Sequence, residues 1–144
     1  MQTLKKSKNG YLAITHFLTS VFVVPLITGI ILDFVFRSLN IFSEVSLINS
    51  FVLGIIGLFI IWGGVVYSSK WITKKYYIDN STKVVRIATI IMAVYLLISI
   101  FFIFILMNLG GGVDITTIKI DILFDILNVF VFYIISKKHI HNNT

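Results

Sequence analysis

Cysteine is absent from this 144-residue chain, proline occurs once, and aspartate and glutamate together occur six times. Without cysteine there are no disulfides, no thiol chemistry and no cysteine-linked lipids. Charged residues make up 12% and mean hydropathy is +1.00, which leaves little polar surface for a water-soluble domain. Enzyme signatures are missing as well. There is no HExxH, no glycine-rich phosphate loop behind a strand, no serine elbow and no pair of spaced histidines inside an apolar run. His139 and His141 in the C-terminal segment are too few ligands for a metal site. Neither an enzymatic activity, a metal nor a cofactor is therefore expected.

What fills the chain instead is apolar sequence, in four runs at residues 11–36, 48–69, 84–108 and 118–136. Each is long enough to cross a hydrocarbon core of ~30 Å at ~1.5 Å per helical residue. A helix of a soluble protein would show an apolar stripe with a polar face opposite. Ile98–Met107 is apolar all round apart from Ser99, and Phe51–Val66 is interrupted only by glycines. Strands of such length are implausible, and a barrel requires polar–apolar alternation. The expected fold is all-α: one integral membrane domain over residues 1–144, a bundle of four transmembrane helices in two hairpins.

The cations orient it. Lys5, Lys6 and Lys8 precede the first run, Lys70, Lys74, Lys75, Lys83 and Arg86 surround the middle connection, and Lys137 and Lys138 follow the last run. These are ten of the twelve lysines and arginines, leaving Arg37 and Lys119 for the other side. The positive-inside rule then puts both termini and the middle loop of about 14 residues in the cytoplasm of a cell-membrane, multi-pass protein. Tyr11, Tyr67, Trp71, Tyr76, Tyr77 and Tyr133 fall at the same boundary, where amphipathic rings settle. The net charge of +6 is thus juxtamembrane, a feature for anionic headgroups and not for nucleic acid. The lysine-led first run of about 26 residues exceeds a signal-peptide core of ~7–15, and no small-x-small cleavage pattern follows it, so it is expected to be retained. Asn80-Ser81-Thr82 and Asn142-Asn143-Thr144 match the glycosylation tripeptide, but on the cytoplasmic side they stay silent.

Small residues indicate where helices meet. Gly54, Gly57, Gly63 and Gly64 cluster in the second run, with Gly57 and Gly64 two turns apart on one face. In lipid such a face lets backbones approach closely. Pro25 lacks the N–H that would bond Val21, so a distortion is expected there. The two halves share no internal symmetry. Four helices of this size enclose little volume, so the expected partners are the lipid bilayer and either a second copy or a larger membrane complex, with no nucleic acid.

Polar groups within the runs are the candidate site, because each is costly in hydrocarbon. Asp121, Asp125 and Asn128 recur at i, i+4 and i+7, one face of one helix, with Asp125 ~10 Å inside the outer boundary. Asp33 and Arg37 form an i, i+4 pair at the outer end of the first run. Two readings follow: a cap in which Arg37 neutralises the acids, or a protonatable or cation-binding site centred on Asp125. At the inner end of the first run, Thr15, His16, Thr19 and Ser20 form a second polar patch, where His16 is expected to anchor at headgroup level.

The stretch Pro25-Leu-Ile-Thr-Gly29-Ile-Ile-Leu-Asp33, followed by Gly54, Gly57 and Gly64, resembles the Gly-x-x-Leu-Asp hairpin of the small membrane proteins encoded beside ATP synthases. It covers at most the first half of the chain, and the last two runs have no counterpart, so that family is not adopted. Two function classes stay open: a non-enzymatic accessory, assembly or scaffold protein that binds partners within the membrane, or a small oligomeric ion or proton transporter or channel using the outer acids.

Overall fold

The computed structural model describes residues 5–38, 47–108 and 115–142. The first helical rod is α1 (Asn9–Leu18), a π-helical turn (Thr19–Val23) and α2 (Val24–Ser38) in unbroken succession. The π turn ends just before Pro25, and this is how the expected distortion is absorbed. Where proline takes away a donor, widening the preceding turn redistributes the carbonyls, and the Val24 N–H bonds Thr19 O, five residues back. Hydroxyls bond two nearby carbonyls of the rod. Ser20 Oγ donates to His16 O at 2.7 Å, and Thr28 Oγ1 to Val24 O at 2.8 Å.

Three further helices follow: α3 (Leu47–Lys75), α4 (Ser81–Asn108) and α5 (Ile115–His139). Residues Asn9–Phe36, Phe51–Lys75 and Ser81–Ile105 are three helices long and apolar enough to cross a membrane. The fourth expected span forms a helix of 25 residues but is not among those three. Its Lys119, Asp121 and Asp125 lie close together at one end and Lys137 and Lys138 at the other, which dilutes the apolar stretch between them.

The middle connection is much shorter than the expected loop. Helix α3 continues through Lys70, Lys74 and Lys75, because nothing in that stretch breaks it and lysines suit the last turn of a helix. Tyr76–Tyr77 (β2) then pairs in parallel with Lys5–Lys6 (β1). Asn80 starts α4 as its cap, its Oδ1 accepting from Lys83 N at 2.9 Å, while Asn142 Oδ1 accepts from Ser81 N at 2.6 Å. Asn80 and Asn142, the leading residues of the two tripeptides, thus converge on one helix start. These contacts gather the lysine-rich segments at one end of the bundle, here called the basic end; the opposite one is the distal end. Lys75 Nζ stands 4.9 Å from the Trp71 ring centroid, and Tyr11 and Trp71 meet Tyr76 edge-on at 6.3 and 6.0 Å.

The core sits toward the basic end. Leu12, Phe17, Val65, Ile72, Val84, Met92, Phe132 and Ile140 are buried there in one cluster. Toward the distal end, among the described residues, burial is confined to Ile118 and Phe124. Outward, each helix shows an apolar stripe at helical spacing, such as Leu26, Ile30 and Phe34 on α2 and Ile90, Val94, Leu97, Phe101 and Phe104 on α4.

The glycines divide accordingly. A Cβ on Gly64 would stand 2.6 Å from the Ser20 carbonyl oxygen, so only glycine lets α3 lie against the π turn. A Cβ on Gly54 would collide with the Phe124 ring of α5. Gly57 meets nothing within 4 Å. The expected packing face therefore holds for Gly64 but not for Gly57, because α3 packs on α5 near Gly54 and on the first rod near Gly64, and Gly57 falls between.

Candidate functional site

Two polar sites stand out, one at each end. The distal one is a groove of about 440 Å³ between α3 and α5, floored by Gly54 and Gly57 and walled by Asp121, Phe124, Asp125 and Asn128. The i, i+4, i+7 spacing brings the three polar side chains to one opening, as expected from the sequence. Phe124 plugs its deeper side, wedged on Gly54 and edge-on to Phe51 at 5.5 Å. Asp121 is exposed and Asp125 half-buried. Asn128 Oδ1 is buried with no hydrogen-bond partner among the described residues. The groove's described lining thus offers carboxylates and an amide oxygen, and no cation.

The other two members of the expected cluster are not brought there. Asp33 is exposed on α2 and does not line the groove; α2 packs on α3 and on the π turn. The Arg37 side chain lies outside the described residues, and with it the expected neutralising contact. No group of three or more histidines, aspartates or glutamates that could hold a metal ion occurs among the described residues.

The second site is one that sequence reasoning placed wrongly. His16 does not face outward as a surface anchor. It is fully buried, and so are Ser20, Ser68, Ser69 and Ser136. His16 Nδ1 lies 2.9 Å from Ser68 Oγ on α3, and Nε2 lies 2.8 Å from Ser136 Oγ on α5. Ser68 Oγ also donates to His16 O at 3.2 Å. A neutral ring protonated on Nδ1 satisfies all of these at once: Nδ1–H donates to Ser68, Ser68 donates to the carbonyl, and Ser136 donates to Nε2. Phe132 covers the ring at 5.0 Å between centroids. The correction has a physical reason. The serines on α3 and α5 sit at the same depth as His16, and two hydroxyls inside the bundle outweigh water at its rim. A serine hydroxyl on Nε2 is also how a nucleophile meets its base, but here ring and serines have no exposed surface on which a substrate could sit. The arrangement is a joint locking α1, α3 and α5.

A signal for it does exist in the sequence. His16 and Ser20 are one turn apart near the start of the first apolar run, Ser68-Ser69 lie near the end of the second, and Ser136 ends the fourth. In an up-down arrangement all of these fall at one level. Ser69 itself contributes nothing visible; its buried Oγ has no partner among the described residues.

Compared with known proteins, the chain matches no family model, no curated protein and no solved structure.

Proposed function

We propose that this is a four-span membrane protein with both termini in the cytoplasm, acting as a non-enzymatic accessory or assembly protein that holds a partner helix in the distal groove. The carrying observation is the contrast along α3 and α5, which are joined through His16 and its serines at the basic end, whereas toward the distal end Gly57 faces open space in a groove whose described lining offers acceptors and no cation. In hydrocarbon an unneutralised carboxylate is unstable enough to recruit a donor, and a lysine or arginine on a helix seated over Gly57 supplies one. The partner helix comes from a second copy or from another membrane protein. For α5 as a fourth span, support comes from its exposed apolar stripe Leu123, Leu127, Phe130 and Ile134. The clustering of cations supports the cytoplasmic placement of the basic end.

A photo-crosslinking residue in place of Gly57, in native membranes, tests the partner. A crosslink that disappears on Asp125→Asn is expected; its survival counts against the groove. The cysteine-free background lets Lys75→Cys and Asp114→Cys report topology, with Lys75→Cys labelled from the cytoplasm and Asp114→Cys from outside. The reverse pattern overturns the orientation.

A second reading is favoured by Asn128 Oδ1, buried with no partner among the described residues, beside Asp125 in the same groove. Together they can hold a cation or proton, as in a small oligomeric transporter or channel. Flux across reconstituted vesicles that Asp125→Asn abolishes would establish this reading and displace the first.

A further inference from the structure

At the basic end, the first turns of α4 and the last turns of α5 enclose a cavity of about 500 Å³ that neither polar site above includes. Arg86 and Thr82 line it from α4, Lys137 from α5 and His141 from the segment beyond. No carboxylate is among its described lining residues. Beneath the cations the floor is apolar, with Val85 and Ile140 buried. The bond from Ser81 N to Asn142 Oδ1 ties the start of α4 to the segment beyond α5, one link between the two sides of the cavity. Lys137 is further steadied over Tyr133, its Nζ 5.8 Å from the ring centroid.

We propose that this cavity binds the phosphate of an anionic membrane lipid. Three nitrogen-bearing heads around one apolar-floored space match a phosphodiester, and basic pockets between helices on the cytoplasmic side are suited to such headgroups. The lipid source, as opposed to free phosphate, is indicated by what continues from the cavity along the same helices. One turn beyond Arg86 on α4 comes Ile90, and two turns before Lys137 on α5 comes Phe130, both well exposed and apolar. An acyl chain leaving the headgroup runs directly onto them. The proposal rests on membrane insertion with the basic end at a headgroup surface, and it is independent of whether the distal groove holds a helix or an ion.

The test uses the purified full chain in nanodiscs of phosphatidylcholine carrying increasing phosphatidylglycerol, read by thermal unfolding and by native mass spectrometry of retained lipid. Wild type is expected to retain phosphatidylglycerol and unfold at higher temperature in its presence. Arg86→Gln with Lys137→Gln should weaken this by about tenfold or more, since each surface cation contributes several-fold. Thr82→Tyr, which narrows the cavity without changing charge, should weaken it as well, and covers the case in which the double variant does not fold. Lys70→Gln with Lys74→Gln, at the same end but outside the cavity, should weaken it markedly less than the Arg86/Lys137 pair does. Equal loss in that control would overturn the proposal in favour of diffuse charge. Displacement of the lipid by millimolar inorganic phosphate would overturn the lipid assignment in favour of a free anion. Retained phosphatidylglycerol in Thr82→Tyr would place the lipid elsewhere. A failure to label Lys75→Cys from the cytoplasm concerns orientation alone and is read separately.

Discussion

At the basic end, α1, α3 and α5 meet around a histidine whose ring nitrogens are both occupied by serines of other helices. Toward the distal end, α3 and α5 touch through Phe124 at Gly54 but leave a groove beside Gly57, and Asn128 Oδ1 is buried with no partner among the described residues. The helices are the same and so is their apolar character; what differs is whether buried polar groups close on one another. Lipid is as apolar as leucine, so apolar contact alone gives little reason for one helix to prefer another to its surroundings. Saturated polar contacts and close backbone approach at glycine supply that reason, and both concentrate at the basic end. Stability should be localised there, and recognition at the other end.

The comparison breaks most visibly at His16. His16→Ala removes the ring's bonds to Ser68 and Ser136 and leaves a void under Phe132, which should lower stability by about 2–4 kcal/mol. Steric trapping or thermal unfolding in detergent would measure it, and a loss under about 0.5 kcal/mol would mean the joint does not hold the bundle. Gly64→Leu comes next. Its Cβ runs into the backbone of the π turn, so about 1–3 kcal/mol should be lost. Gly57→Leu, two turns away on the same helix, fills open space and should stay within about 0.5 kcal/mol. If the two glycines respond alike, α3 does not change neighbours between them.

Within the joint the serines sharpen the contrast. Ser68→Ala should cost about 1 kcal/mol, since it strands Nδ1 and removes a bond to His16 O. Ser69→Ala removes a buried hydroxyl that has no partner among the described residues, so it should be neutral or slightly stabilising in the same assay. The smallest effect belongs to Asp125→Asn. Half-buried beside an open groove, Asp125 can be neutralised without disturbing a packed neighbour, and unfolding should shift by under about 0.5 kcal/mol. A larger loss would make the acids part of the scaffold and revive the cap reading.

Much of the fold was legible in sequence because hydrophobic length and breaker residues are local properties. Four helices form where four apolar runs lie, and Pro25 perturbs its helix as a proline must, although by a π turn. Asp121, Asp125 and Asn128 were legible as one face because 3.6 residues per turn dictates it. The serine joint was not, because His16 is 52 positions from Ser68 and 120 from Ser136. The extent of α3 past Ser69 is not legible in sequence, because lysines suit both a loop and the last turn of a helix.

The sequence by itself determined that the chain is helical, that its segments are long and apolar enough for lipid, and that its cations collect at one end. Only the tertiary structure decided which way each helix faces. A helix apolar all round carries no stripe to announce its inner side, so its rotation is set by the few places where a hydroxyl meets an imidazole or a glycine admits a backbone. Gly64 and Gly57 are the same residue on the same helix, and only their neighbours, the Ser20 carbonyl for one and an open groove for the other, make the first a point of contact and the second a vacancy.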